Sequence, residues 1–149
     1  MEPEFVIDFP TLLVAADWAQ AHCVVPDGFE RGKPLELVDW QDAGLPGHSG
    51  AVRYRRRIDA PAGGGRVTLD LGDVRGTAEV LVDGAPAGVR VCAPYRFELD
   101  GRIGADGAEL EIVVCNTLAP HLDAVGPTPY VWPGQKRSGL FGPVTLRVA

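Results

Sequence analysis

The sequence predicts an all-β protein, an antiparallel β-sandwich of the jelly-roll kind. Three observations carry this. About eight or nine short stretches of apolar and β-branched residues are separated by turn signals along the chain. Most of these stretches alternate apolar with polar residues, as strands with one packed and one wet face do. The 19 glycines and 13 prolines are spread over all 149 residues, which leaves little room for long helices.

The region from Phe5 to Gln41 is the least regular. Phe5-Val6-Ile7-Asp8-Phe9 reads as a strand closed by Pro10. Leu12 to Ala21 is apolar and fits a short helix, or a loop turning Val14 and Trp18 to the core. Leu35-Glu36-Leu37-Val38 reads as a short strand leading to Trp40, and Gly44, Pro46 and Gly47 mark a loop.

From Ser49 onward the pattern sharpens. Ala51 to Ile58 is a strand, followed by a flexible turn at Pro61-Ala62-Gly63-Gly64-Gly65. Within it, Arg53, Arg55 and Arg57 share one face, read as solvated. Arg56 falls on the apolar side and calls for a carboxylate partner, because an unpaired buried charge is costly. Arg66 to Leu71 alternates, with Val67, Leu69 and Leu71 inward. Thr77 to Val82 alternates likewise, with Ala78, Val80 and Val82 on one face. Asp83-Gly84 supplies the left-handed backbone of a tight hairpin. Val89 to Cys92 and Tyr95 to Leu99 are two more strands, and Asp100-Gly101 and Asp106-Gly107 bound a loop. Leu110 to Cys115 reads as a strand buried on both faces at its end, with Cys115 a small core residue. His121 to Arg137 is a long Pro-Gly loop. Ser138 to Gly142 places two turns around an apolar Leu140-Phe141 pair, and Val144 to Val148 is the closing strand. No linker or repeat interrupts the pattern, so residues 1–149 read as one sandwich domain whose less regular part is 1–34.

Charge and composition exclude several function classes. A net charge of -6 argues against nucleic acid, which needs a cationic surface. No stretch reaches the roughly 18 apolar residues of a membrane span. The three cysteines, Cys23, Cys92 and Cys115, are widely spaced and form neither a disulfide framework nor a metal motif. That usage favours a reducing, cytoplasmic compartment. The acidic start Met1-Glu2-Pro3-Glu4 lacks the apolar core of a secretory signal.

Catalytic constellations are equally sparse. His22, His48 and His121 are isolated, without the spacing of metal ligands. Ser49 and Ser138 sit in Ser-Gly turns, outside any nucleophile elbow. Glu79, Glu98, Glu109 and Glu111 lie at alternating strand positions, and Asp83, Asp100 and Asp106 lie in turns. Both placements suit solvated faces better than the paired carboxylates of glycoside cleavage. No catalytic residue and no cofactor is therefore expected. A structural calcium ion suits a sandwich loop chemically, but no Asp-rich loop marks a place for one.

Aromatic residues are the remaining chemistry. Sugar C–H faces pack on indole and phenol rings, while amides and charged groups hold the hydroxyls. Outside the clear core positions stand Trp18, Trp40, His48, Tyr95, Tyr130 and Trp132, with Asn116 a polar companion. Tyr130 and Trp132 lie in the long loop, and long loops are often functional. They suit pinning that loop to the sandwich, or packing on a neighbouring domain, better than holding sugar. Trp40, like Tyr54, suits the core or a corner of the sandwich better than a sugar contact.

Several segments together resemble the galactose-binding-like sandwich of family 2 glycoside hydrolases. They are Trp40 with His48-Ser49-Gly50-Ala51-Val52-Arg53-Tyr54-Arg55-Arg56, and Leu69-Asp70-Leu71-Gly72-Asp73-Val74-Arg75-Gly76-Thr77-Ala78-Glu79-Val80. Val82-Asp83-Gly84, Pro94-Tyr95-Arg96-Phe97 and Asn116-Thr117-Leu118 continue the match. The closing Ser138-Gly139-Leu140-Phe141-Gly142-Pro143-Val144 is similar to the C-terminal sandwich of large bacterial α-L-rhamnosidase-like proteins. The resemblance implies a galactose-binding-like jelly roll, noncatalytic by itself, that binds carbohydrate or braces a catalytic domain of the same parent protein. In such enzymes the catalytic acids lie in another domain, and fold alone does not establish sugar binding.

Overall fold

The computed structural model describes residues 36–61, 65–126 and 131–149 throughout, and places three short strands before them. In chain order the elements are β1 (Glu4–Phe5), β2 (Leu12–Ala15), β3 (Pro34–Leu35), β4 (Ala51–Ile58), β5 (Val67–Asp70), β6 (Asp73–Arg75), β7 (Thr77–Val82), β8 (Ala85–Arg90), β9 (Arg96–Glu98), β10 (Ala108–Cys115), α1 (Ala119–Val125), α2 (Pro133–Lys136), β11 (Gly139–Gly142) and β12 (Thr145–Val148). A six-stranded sheet runs β3-β2-β4-β10-β7-β8, and a four-stranded sheet runs β1-β12-β5-β9. A two-stranded ribbon pairs β11 with β6. All named strand pairs are antiparallel.

Alternation explains why the sheets pack. Val52, Tyr54 and Ile58 of β4, Ala78, Val80 and Val82 of β7, and Leu110, Ile112 and Val114 of β10 are buried. Val67 and Leu69 of β5, Phe97 of β9, and Leu146 and Val148 of β12 are buried too, and all join one apolar cluster. Burial of this continuous apolar area is the main force holding the sheets together. The hairpin between β7 and β8 turns at Asp83 (φ 48°) and Gly84 (φ 76°), the left-handed pair expected from its Asp-Gly sequence.

Several elements differ from expectation. Leu12–Ala15 is a strand paired with β4, not a helix or loop, because a short apolar run carries no periodicity to separate the two. The strand expected over 35–38 ends at Leu35. The strand expected at Phe5–Phe9 is described only as Glu4–Phe5, and its remainder lies outside the described residues. The tip of the Pro61–Gly65 turn, at 62–64, lies outside them as well. Cys115 is exposed at the end of β10. The 121–137 stretch is not structureless: it holds α2 and most of α1. Finally, Ser138–Gly142 is more than a pair of turns, since Gly139–Gly142 forms a strand with β6. Leu140 is fully buried while Phe141 is half-buried.

The arginine face of β4 also needs correction. Arg57 is exposed, but Arg53 and Arg55 are half-buried and converge on Glu111 of β10. Arg55 Nε donates to Glu111 Oε2 at 3.0 Å and Arg53 Nη1 donates to the same oxygen at 3.2 Å. Glu111, expected on a solvated face, is 5% exposed. The two guanidinium groups meet the condition for burying a carboxylate, namely pairing it. Arg56 is half-buried and partnered.

The ribbon of β6 and β11 connects to the β5 and β12 strands through glycine. Gly72 bridges Gly142, and a Cβ on Gly72 would stand 2.5 Å from the Gly142 carbonyl. Gly72 also has φ +65°. Only a residue without a side chain permits that backbone approach.

Candidate groove at the end of the sandwich

The β6–β11 ribbon, the end of β10 and the two short helices meet at one end of the molecule. Local chemistry fixes each piece. Pro120 stands at the start of α1, where its missing N–H costs nothing. The His121 N–H is accepted by Ser49 Oγ at 3.0 Å, which ties the helix to the loop before β4. At α2, Gln135 folds back so that its Oε1 accepts the Trp132 N–H at 2.9 Å. Lys136 Nζ donates to Asp123 Oδ2 at 2.9 Å and links the helices.

Beneath them lies a polar knot centred on Asn116. Its Oδ1 accepts the Gly50 N–H at 2.8 Å. Its Nδ2 donates to the His48 carbonyl and to Ser138 Oγ, both at 2.8 Å. Ser138 Oγ donates onward to the Lys136 carbonyl at 3.3 Å. The Trp40 N–H donates to the Ser138 carbonyl at 3.0 Å. One side chain thus joins the His48–Gly50 loop, the exit from β10 and the entry to β11.

Above the knot is a groove of about 600 Å³ whose lining includes Arg75, Asn116, Thr117, Leu122, Gln135 and Arg137. A second groove of about 600 Å³ lies beyond Arg75, Gly76, Asn116 and Thr117, which line both. Tyr95, Cys92 and Val91 contribute to its other wall. The volumes suit ligands the size of one or two sugar rings.

The predicted site residues divide sharply. Trp40 is 1% exposed and donates its indole N–H to the Tyr54 hydroxyl at 2.6 Å. Burial pushes the Tyr54 hydroxyl up to about 12, against the smaller opposing effect of the Trp40 hydrogen bond. His48 is 2% exposed, with its ring edge-on to Trp40 at 5.2 Å. Burial lowers its pKa, and a hydrogen bond to the Ala51 backbone offsets part of that. In this conformation neither Trp40 nor His48 presents a surface to a ligand, and Trp40 takes the core position favoured for it. The indole and imidazole instead fill the interior beneath β11.

Tyr95 is 7% exposed, donates its hydroxyl to the Gly76 carbonyl at 2.7 Å and lines the second groove. Asn116 reaches both grooves, but its amide is largely committed to the knot. Trp132 is 71% exposed at the start of α2, beside the groove residue Val131. Tyr130 lies outside the described residues. The groove residues that sequence reasoning missed are Arg75, Thr117, Leu122 and Arg137. Arg75 lies on β6, a three-residue strand too short to show alternation.

Electrostatically the groove is flanked by two arginines. Arg75 Nε lies 3.4 Å from Asp73 Oδ1, and both side chains are about half exposed. Arg137 Nε lies 3.9 Å from Asp39 Oδ2, and its guanidinium stacks 4.6 Å from the Phe141 ring centre. Among the described residues no cluster of three or more His, Cys, Asp or Glu is placed to hold a metal ion. The arrangement can hold a ligand through hydrogen bonds, charge and apolar contact. Leu118, Leu122, Val125 and Trp132 add an exposed apolar strip along the helices. Among the described residues no helix is long and apolar enough to cross a membrane.

Comparison with known proteins extends this picture. No family model and no curated protein sequence matches the chain. Solved structures do. A rhamnosidase from Novosphingobium sp. PP1Y superposes over 99% of this chain with a TM-score of 0.72 and 26% identity. A β-glucuronidase from Faecalibacterium prausnitzii matches 99% of the chain with a TM-score of 0.72 and 18% identity. A β-galacturonidase of glycoside hydrolase family 2 from Eisenbergiella tayi matches 99% with a TM-score of 0.67 and 22% identity. The chain spans only 15%, 31% and 24% of those three proteins. The chain is therefore similar to a β-rich part of larger glycoside hydrolases.

Proposed function

We propose that this chain is a noncatalytic accessory β-sandwich of a glycoside hydrolase, a jelly roll of the galactose-binding-like kind with an α-L-rhamnosidase-like parent. One observation carries the reading: nearly the whole chain matches, while it covers less than a third of each glycosidase compared. Its role is to hold carbohydrate near the parent's catalytic centre. The open groove beside Arg75, Thr117, Gln135 and Arg137, with Trp132 exposed nearby, supports that role.

A second reading rests on a different observation. The exposed strip of Leu118, Leu122, Val125 and Trp132 suits a brace that packs on a catalytic domain and binds no sugar. Two measurements separate these readings and test the noncatalytic assignment. Amide chemical shifts followed during titration with rhamnose, galactose and glucuronate should move at Gly76, Thr117 and Gln135; silence with every sugar leaves only the brace. Aryl rhamnoside and aryl glucuronide should survive incubation with the purified chain. Turnover that copurifies with it would overturn the noncatalytic reading.

A further inference from the structure

The two arginines of the groove are not placed independently. In the β6–β11 ribbon Gly139 is the direct partner of Arg75. Arg137 precedes Gly139 by two residues and has extended backbone (φ -65°, ψ 128°). It therefore leads into the end of the ribbon at which Arg75 stands. Both side chains line the same groove. Two like charges that line one groove repel, and an anion between them relieves this.

Their present partners compensate only in part. Asp73 and Asp39 approach the Nε atoms at 3.4 and 3.9 Å, the second beyond hydrogen-bond length. The terminal amino groups of Arg75 and Arg137, four N–H₂ donor arms between them, have no acceptor among the described residues. Arg137 lies over the Phe141 ring, 4.6 Å from its centre, a cation–π contact that restrains it. The other cation nearby, Lys136, is committed to Asp123. Thr117 and Gln135 bring polar groups suited to hydroxyls, and Leu122 and Val131 bring an apolar wall.

We propose that this groove binds an acidic saccharide, with the Arg75 and Arg137 forks gripping its carboxylate or sulfate while Thr117 and Gln135 meet its hydroxyls. This rests on the sugar-holding reading above and adds the class of sugar. Planar guanidinium groups match a carboxylate in two-point geometry, and charge-assisted hydrogen bonds are the strong ones. A neutral sugar leaves both forks facing only water. The exposed site also predicts salt sensitivity, since screening acts fully on solvent-facing charges.

The test is a titration of the whole chain followed by amide chemical shifts, with D-galacturonate, its methyl ester, D-galactose and acetate as probes. Galacturonate should shift Gly76, Thr117 and Gln135 and bind about tenfold or more tightly than its ester or galactose. Arg75→Gln and Arg137→Gln should each weaken galacturonate binding about fivefold or more, a larger loss than either causes for galactose. Arg66→Gln, an exposed arginine away from the groove, should change neither. Both groove arginines are about half exposed, so the variants remain folded. Galactose binding as tightly as galacturonate at the same amides would overturn the acidic specificity while sugar holding survived. Acetate binding as tightly as galacturonate would overturn the saccharide half and leave a bare anion site. No shift with any sugar would remove the sugar-holding reading itself.

Discussion

Replacing Asn116 by alanine should unfold the chain far more readily, and the size follows from its three hydrogen bonds. The orientation of the amide is fixed by its partners. The Gly50 N–H can only donate and the His48 carbonyl can only accept, so Oδ1 must face the first and Nδ2 the second. Each bond contributes about 1 kcal/mol net, and each backbone group left unsatisfied adds a desolvation cost of about 1–3 kcal/mol where water cannot reach it. Asn116 is half-buried, so water can take over part of that loss. The expected cost is about 2–4 kcal/mol, or a fall in Tm of about 4–16 °C for a chain of this size. Urea unfolding measures it directly, with an unchanged slope showing that the unfolded state is not involved. Asn116→Asp sharpens the test. At neutral pH its carboxylate still accepts from Gly50 but opposes the His48 carbonyl, so this variant should be at least as unstable as alanine. Protonation below about pH 4 returns one donor and should recover part of the loss relative to alanine. A cost under about 0.5 kcal/mol for Asn116→Ala would refute the knot as a structural tie and return Asn116 to the ligand-binding candidates.

Two further outcomes follow from the packing beneath β11. Gly139→Ala should cost about 2–4 kcal/mol and shift the Trp40 emission, because the backbone has φ +125° and a Cβ would stand 2.8 Å from the indole; thermal melts and fluorescence read both. Stability should also fall with acid in a way that His48→Phe abolishes. The folded pKa of His48 lies below the unfolded value of about 6.5, so the unfolded chain binds the proton first. The loss therefore begins as pH falls through about 6.5 and ends once the folded histidine itself protonates, with a slope no steeper than about 1.4 kcal/mol per pH unit. Equal acid sensitivity in both proteins would contradict a buried neutral imidazole at this position.

The sandwich was readable where local pattern and tertiary demand agree. Val52-Tyr54, Ala78-Val80-Val82 and Leu110-Ile112-Val114 each alternate, and each lies inward on its strand. Asp83-Gly84 could hardly be anything but the hairpin it forms. Misreadings occurred where one signal has two physical outcomes. Leu12–Ala15 is an apolar run without period, and its pairing with β4 decided between helix and strand. The prolines and glycines of His121 to Arg137 suggested a loop, yet Pro133 is also at home in the first turn of a helix. Glu111 and Glu109 alternate alike, but only Glu111 meets two arginines across the ladder. The groove was the least legible part. It depends on Gly139 pairing with Arg75, a contact between distant segments with no echo in either one. The aromatic candidates led elsewhere because Trp40 and His48 have the composition of a sugar platform and the burial of a core.

The touching backbones at Gly72 and Gly142 constrain the chain's evolutionary history. Most tight contacts can be relieved when a neighbour shrinks, so paired changes let sequences drift. Here a side chain on Gly72 would meet the carbonyl of Gly142 itself, and no exchange of side chain at 142 moves that carbonyl away. A substitution at position 72 therefore has no compensating partner there. Among distant descendants sharing this backbone, position 72 should stay fixed after the strands around it have lost all resemblance. It then serves as a landmark for aligning chains whose sequences otherwise no longer agree.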